Sequence, residues 1–274
     1  MKTRLIATAC DSKYFPALMA LLRSLKRTNP DIPVIVFDGG LSDFQVRKVS
    51  AFASIKRREP FVSIVGRGKF SYVSDTSLLK LEAASLDCDK VISLDADTIV
   101  MGSLEPLFSF PEGMVGVVPE TNAVKHMFRL KDRGILERGI KIDWEKSGFN
   151  AGVFALRPGE WPDLKERALS LVERFGADVF SKSKDQQLLN VIFSGRTYFF
   201  PRRYNFSPLY DEGAVESPLV IHYLTERKPW HGGYPEGCRY EEFRRNISFL
   251  DHPLVIGVDI LRKMKKVVFA VPER

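Results

Sequence analysis

Residues 3–9 (TRLIATA) form a short apolar run that predicts a buried strand. Residues 14–27 (YFPALMALLRSLKR) then place apolar side chains at helical spacing, and Asn29-Pro30 ends that pattern. A second strand is expected in 31–40 (DIPVIVFDGG), closed by Gly39-Gly40, and Ser42 is a candidate cap for a helix in 41–53. Residues 61–66 (FVSIVG) read as a third strand and residues 74–86 as a helix with Asp75 near its start. Residues 90–94 (KVISL) read as a fourth strand that runs straight into Asp95-Ala96-Asp97. Strands alternating with helices predict an α/β fold with a mainly parallel sheet and helices on both faces. Beyond about residue 115 the alternation loosens: 115–120 (VGVVPE), 152–156 (GVFAL) and 219–224 (LVIHYL) suggest strands, 163–175 and 185–194 suggest helices, and 204–213 suggests a loop. There is no internal repeat and no low-complexity segment.

The chain has 274 residues, which suits one large domain, expected over 1–238, followed by a basic amphipathic appendage over 239–274. Its 45% hydrophobic and 27% charged residues are those of an ordinary globular protein. Three cysteines, Cys10, Cys88 and Cys238, lack CxxC spacing, so a disulfide framework is not expected and a reducing compartment fits. The apolar run near the N-terminus is too short for a signal-peptide core, and no stretch of about 18 apolar residues occurs. The expectation is a cytoplasmic protein, or one peripheral to the inner face of a membrane. A formal charge of +7 suits an anionic partner, yet no paired aromatic RNA-binding motif is present, so nucleic acid is not the expected one. Arg262, Lys263, Lys265 and Lys266 lie among apolar residues in the tail, which is compatible with an anionic bilayer or with a helix packed on the domain.

The chemistry concentrates at Asp95 and Asp97. In open parallel sheets ligands gather at the carboxyl ends of the strands. Two carboxylates spaced i, i+2 on an extended segment face the same way and repel unless a cation lies between them. A hard divalent ion would satisfy them and keep positions free for phosphate oxygens. The alternative is an Asp-rich turn that caps the next element. The motif also half-matches the DxDx[TV] signature of haloacid-dehalogenase phosphatases, but Ile99 stands at the last position and the motif follows the fourth strand. His222 is a third ligand candidate, and an imidazole beside carboxylates suits Mn²⁺ better than Mg²⁺. Lys228, six residues on, can reach the same diphosphate as a point charge; the plain reading is a solvated loop lysine. Asn150-Ala151-Gly152 reads either as a turn entering a strand or as a site for sugar hydroxyls, with Gly152 allowing a close backbone approach. Asp185 and Gln186 open a helix, where Asp185 is either a cap or a group facing a reacting sugar.

Six segments occur in an order that resembles glycosyltransferase family 8: IATACDSKYFPALMALLRSL, LLKLEAASLDCDKVISLDADTIV, FNAGVFALRP, KDQQLLN, RYNFSP and HYLTERKPWH. The resemblance spans about residues 4–235. It implies a GT-A fold built as a single Rossmann-like domain, a UDP-sugar donor such as UDP-glucose or UDP-galactose, Mn²⁺ or Mg²⁺, and retention of anomeric configuration. It implies Asp95, Asp97 and His222 as metal ligands, and Ala7, Thr8, Ala9, Asp11 and Tyr14 around the uridine, with Tyr14 stacked on the base. Lys80 would approach the donor, alongside Ala96 and Ala151. Asn150, Gly152 and Asp185 would bind the donor sugar, Gln186 would sit near its anomeric carbon, and Lys228 would contact the diphosphate. Two positions depart from the pattern: Thr225 stands where many relatives have a glycine that touches the phosphates, and Leu78 stands where some have arginine. The acceptor implied is a glycan or a lipid-linked sugar. A transfer-inactive nucleotide-binding relative is the remaining alternative.

Overall fold

The computed structural model describes residues 3–64, 74–211, 215–224, 228–231 and 239–248. Its strands are β1 (Arg4–Cys10), β2 (Val34–Asp38), β3 (Ser54–Arg57), β4 (Lys90–Leu94), β5 (Thr98–Val100), β6 (Val115–Ala123), β7 (Ser147–Leu156), β8 (Thr197–Phe199) and β9 (Val220–His222). Its α-helices are α1 (Phe15–Thr28), α2 (Asp43–Val49), α3 (Leu130–Glu137), α4 (Leu164–Phe175), α5 (Asp185–Ile192) and α6 (Tyr240–Arg244). Seven strands form one sheet in the order β3-β2-β1-β4-β7-β6-β8, and β5 pairs with β9 in a separate two-stranded ribbon. Among the described strands of the large sheet only β7 runs against its neighbours, β4 and β6; the other pairings are parallel. The mainly parallel α/β sheet expected from the alternation is what forms.

Side-chain alternation divides the core into two layers. Leu5, Ala7, Val91, Phe154 and Leu156 face a cluster that includes Leu79, Leu81, Leu164, Ala168, Leu188 and Leu189. Ile6, Ile92, Leu94, Val153 and Ala155 face the opposite cluster with Leu21 and Leu25 of α1 and with Leu107 and Phe108. Helices therefore cover both faces. Ser42 caps α2 in a full capping box: its hydroxyl accepts from Gln45 N, and the Gln45 side chain accepts from Ser42 N.

Three local expectations need correction. The third strand is Ser54–Arg57, not 61–66; residues 61–64 are irregular, and the rest of that run lies outside the described residues. β3 is a sheet edge, and only one apolar residue, Ile55, lies in it, so its burial signal is faint beside the apolar run that follows. Residues 75–85 wind as an 11-residue 3₁₀ helix capped by the Ser74 hydroxyl, not as an α-helix. Asn150-Ala151-Gly152 is not a turn entering a strand; it lies inside β7.

Helix α6 packs back on the domain: Phe243 is buried against Tyr223 and Trp230, and Arg27 of α1 donates to the Asn246 side chain at 2.7 Å. The basic cluster 262–266, on which the membrane-contact expectation rests, lies outside the described residues, as do Thr225 and Cys238. No helix among the described residues is long and apolar enough to cross a membrane.

Candidate active site

The site begins where β4 ends. Asp95 and Asp97 do not lie on extended backbone as an i, i+2 strand pair; they occupy a tight turn in which Thr98 N and Thr98 Oγ1 both donate to Asp95 O. Asp95 N donates to Gly152 O at 2.8 Å, which ties the turn to β7. The chain then enters β5, whose register with β9 sets Thr98 opposite His222. Tyr223 N donates to Asp97 O at 3.1 Å. Direct backbone pairing thus carries an imidazole from residue 222 to the two aspartates. Ser24, buried in α1, anchors the ribbon from below, because its hydroxyl accepts from Val100 N at 3.0 Å.

The side chains then divide their oxygens. Asp95 gives Oδ1 to Lys80 Nζ at 2.5 Å and turns Oδ2 to within 3.7 Å of His222 Nε2. Asp97 gives Oδ2 to Lys228 Nζ at 2.6 Å and turns Oδ1 to within 3.2 Å of the same nitrogen. One ligand atom from each of the three residues lies within 4.8 Å of the others. Two carboxylate oxygens and an imidazole nitrogen around one point are the donor set of a divalent transition-metal ion.

Electrostatics follow from the pairing. Burial alone would raise the Asp97 carboxyl, but Lys228 and His222 outweigh it and hold the group well below the usual carboxylate range. Asp95 is pushed up: burial is the largest cause, Lys80 and His222 oppose it, and Asp97 and Asp185 add to it. Burial works against the charged Lys80, yet Asp185 and Asp95 overcome it and raise the ammonium above its ordinary value. Lys80 Nζ also lies 2.7 Å from Asp185 Oδ2 and donates to Ala151 O, so one buried cation joins the 3₁₀ helix, β4, β7 and α5.

Asp185 and Gln186 enter at the start of α5. The residue before them, Lys184, has φ +40°, a strained conformation for a non-glycine residue. Its buried ammonium pairs with Asp75 at 2.8 Å and so holds that turn in place. Gly152 has a further role that the sequence did not show. A Cβ there would lie 2.1 Å from His222 Cε1, so the bare backbone makes room for the imidazole as well as lining the cavity.

One cavity brings together Ala9, Asp11, Tyr14, Asp95, Ala96, Asp97, Asn150, Ala151, Gly152, Asp185, Gln186, His222 and Lys228. Asp11 caps the turn before α1 and accepts from Tyr14 N; the Tyr14 ring is braced edge-on by Trp230 at 5.4 Å. Lys80 reaches the cluster from behind the wall. Ala7 and Thr8 lie deeper in β1, buried and away from the cavity lining. Among residues that carried no assignment from sequence, two bond to members of the site from beside it: Asn205, whose Oδ1 lies 2.9 Å from His222 Nδ1, and Glu120, which accepts from Gln186 Nε2 at 3.0 Å. Asn205 sits in the RYNFSP segment and was visible there only as part of a pattern.

Residues 5–233 match the sequence profile described as Glycosyl transferase family 8. The chain belongs to glycosyltransferase family 8, and this membership sets aside the phosphatase alternative. The lipopolysaccharide 1,2-glucosyltransferase of Escherichia coli K12 is 32% identical over 170 residues, 56% of this chain and 48% of that protein. The lipopolysaccharide glucosyltransferase WaaO of the same strain is 31% identical over 155 residues, 52% of this chain and 44% of that protein. The chain thus spans about half the length of these relatives. Among solved structures, the galactosyltransferase LgtC in complex with donor and acceptor sugar analogs superposes with a TM-score of 0.73 at 25% identity, over 89% of this chain and 96% of that one. The fold is therefore GT-A-like, as the resemblance implied.

Proposed function

We propose that this chain transfers a hexose, glucose or galactose, from a UDP-sugar to a glycan or lipid-linked acceptor with retention of configuration, and that it holds a divalent cation of the Mn²⁺ or Mg²⁺ type on Asp95, Asp97 and His222. The observation that carries the reading is the division of carboxylate oxygens: each aspartate keeps one oxygen on a lysine and turns the other toward the same imidazole nitrogen. The lysines satisfy the acids from outside, and the inner oxygens are left to converge on one point.

When bound, the cation supplies Lewis-acid neutralisation of the diphosphate. The residues of the chain do the rest. Tyr14, fixed at the head of α1 and braced by Trp230, offers a ring to the base. Lys228 stands beside Asp97 in the cavity wall, where negative charge grows on the departing UDP, which is the place where stabilisation accelerates reaction rather than binding. Asn150, Asp185 and Gln186 line the part of the cavity left for the sugar. Asp185 is held by Lys80, and the Gln186 amide is a weak nucleophile, which favours same-face attack with a departing phosphate oxygen taking the acceptor's proton.

The test is a thermal-shift and turnover panel with UDP, UDP-glucose and UDP-galactose, each with and without Mn²⁺. Stabilisation by UDP that requires the cation, and sugar release that is lost in Asp95→Asn and Asp97→Asn, are the expected results. Cation-independent UDP binding together with near-normal turnover in either variant would refute the ligand assignment.

A further inference from the structure

Two cavities share a wall made of Asn150, Ser183, Gln186 and Leu224. The first holds the aspartates; the second, about 460 Å³ and bordered by Glu120, Arg202 and Asn205, falls within the roughly 300–1,000 Å³ range of ligand sites. A continuous line of side-chain hydrogen bonds runs between them. Glu120 Oε1 meets Gln186 Nε2 at 3.0 Å, Gln186 Oε1 meets Asn150 Nδ2 at 3.0 Å, Asn150 Oδ1 meets Asn205 Nδ2 at 3.1 Å, and Asn205 Oδ1 meets His222 Nδ1 at 2.9 Å.

The oxygen and nitrogen of an amide are told apart by their partners. One partner here is unambiguous. Gly152 N–H is a backbone donor, and it gives its hydrogen to Asn150 Oδ1 at 2.8 Å. The Asn150 NH₂ must then point at Gln186, whose oxygen accepts it. The Gln186 NH₂ is thereby turned to Glu120, a residue that accepts when ionised. In the other direction Asn150 Oδ1 takes a second hydrogen from Asn205 NH₂, which leaves the Asn205 oxygen facing His222. That oxygen can only accept, so Nδ1 is the ring nitrogen that carries the hydrogen, and Nε2 is the one turned to Asp95 and Asp97.

We infer that the Gly152 backbone amide sets the hydrogen-bond polarity of this whole relay, so that Asn205 positions His222 with Nε2 offered to the acidic pair while Glu120 positions the Gln186 amide at the boundary of the two cavities. Neither residue is a catalytic residue in this scheme; each acts through the side chain it holds. The consequence for cation binding rests on the proposed function, whereas the polarity of the relay does not. Ligand imidazoles held at their other nitrogen by an outer partner lose about 10–100-fold in metal affinity when that partner is removed.

Four variants and one spectrum test the scheme. Asn205→Ala should weaken Mn²⁺ binding, read by electron paramagnetic resonance, by about 10–100-fold. Asn205→Asp still accepts from His222 Nδ1 but presents Asn150 Oδ1 with an acceptor where a donor stood. It should keep Mn²⁺ affinity and lose kcat. Glu120→Gln retains an accepting oxygen and should keep kcat, whereas Glu120→Ala should lose kcat at least tenfold with Mn²⁺ affinity unchanged. A role in stability alone would move the conservative and alanine variants together, and that result would overturn the assignment. In the metal-free protein at mildly alkaline pH, long-range ¹⁵N–¹H correlation of the His222 ring, assigned with a His222→Asn variant, should show Nδ1 protonated. A neutral ring with bare Nδ1 overturns the polarity. If Nδ1 is protonated and no variant, nor the parent, binds cation, the relay stands and the functional reading falls.

Discussion

Replacing Gly152 with alanine would add one methyl group in β7, where the strand backbone passes the His222 ring. The new Cβ would lie 2.1 Å from His222 Cε1, 2.5 Å from His222 Nδ1 and 2.8 Å from Asn150 Oδ1. Carbon atoms rest at about 3.5–4.0 Å, so the ring would have to retreat by ~1.4 Å or more. It has little space in which to do so: His222 is only 2% exposed, its backbone is bonded into β9, and Asn205 holds its Nδ1. Ligand distances in metal sites tolerate about 0.2 Å, and a 1 Å misplacement near reacting groups costs about 100-fold in rate. The expected outcome is therefore a fall of about 100-fold or more in kcat/KM and a large loss of Mn²⁺ affinity, with about 1–3 kcal/mol of destabilisation from overpacking. Calorimetric titration with Mn²⁺ and UDP, steady-state turnover and urea unfolding measure the three. Gly134→Ala in α3, where an added Cβ meets nothing within 4 Å, is the control, and should raise stability by about 0.5–1 kcal/mol with turnover unchanged. Wild-type affinity and turnover in Gly152→Ala would show that His222 is not fixed where this geometry puts it.

Lys80→Met removes the shared counter-cation of half-buried Asp95 and buried Asp185 and should cost about 3–5 kcal/mol in chemical unfolding, the usual loss when a buried ion is deleted from its pair. Lys228→Met leaves Asp97 without its cation and should destabilise the ligand-free protein near neutral pH. Because the folded Asp97 carboxyl lies below its unfolded value, the contribution of this pair is present above about pH 4 and fades as the pH falls through the folded value; the gap between parent and variant should narrow on acidification, read by thermal unfolding across pH. Ser24→Ala orphans Val100 N–H beneath the ribbon and should lower stability by about 1–3 kcal/mol in urea unfolding, with weaker Mn²⁺ binding because β5 positions His222 through β9. Tyr14→Ala should weaken UDP binding by about 1–3 kcal/mol in calorimetry; unchanged affinity would remove Tyr14 from the site.

The fold was legible wherever burial wrote itself into periodicity. β1, α1, β2 and β4 are long apolar or amphipathic runs, and each was read close to its observed bounds. β3 and β8 were not, because edge strands of three or four residues bury too little to leave a pattern. At the site, Asp95, Asp97, His222 and Lys228 could be picked out as charged or ligating groups at or just beyond strand ends, and the fold brings all four together. Asn205 and Glu120 could not. An amide in a loop and a glutamate near the end of a strand are ordinary residues until their partners, 17 and 66 positions away, are known. The reason for Gly152 was also hidden, since its neighbour is 70 positions distant in sequence and arrives only through the β5–β9 pairing.

That pairing has a consequence for how such a chain can diversify. His222 is registered to the acidic turn by main-chain bonds across the ribbon, not by the long excursion between Val100 and Val220. Insertions or deletions in surface loops along that excursion, other than the segment that holds Asn205 against His222, can change its length without disturbing the main-chain spacing of Asp97 and His222. The ribbon thus keeps the acidic turn and the imidazole in register while the lengths of loops elsewhere on the chain can change from one lineage to the next.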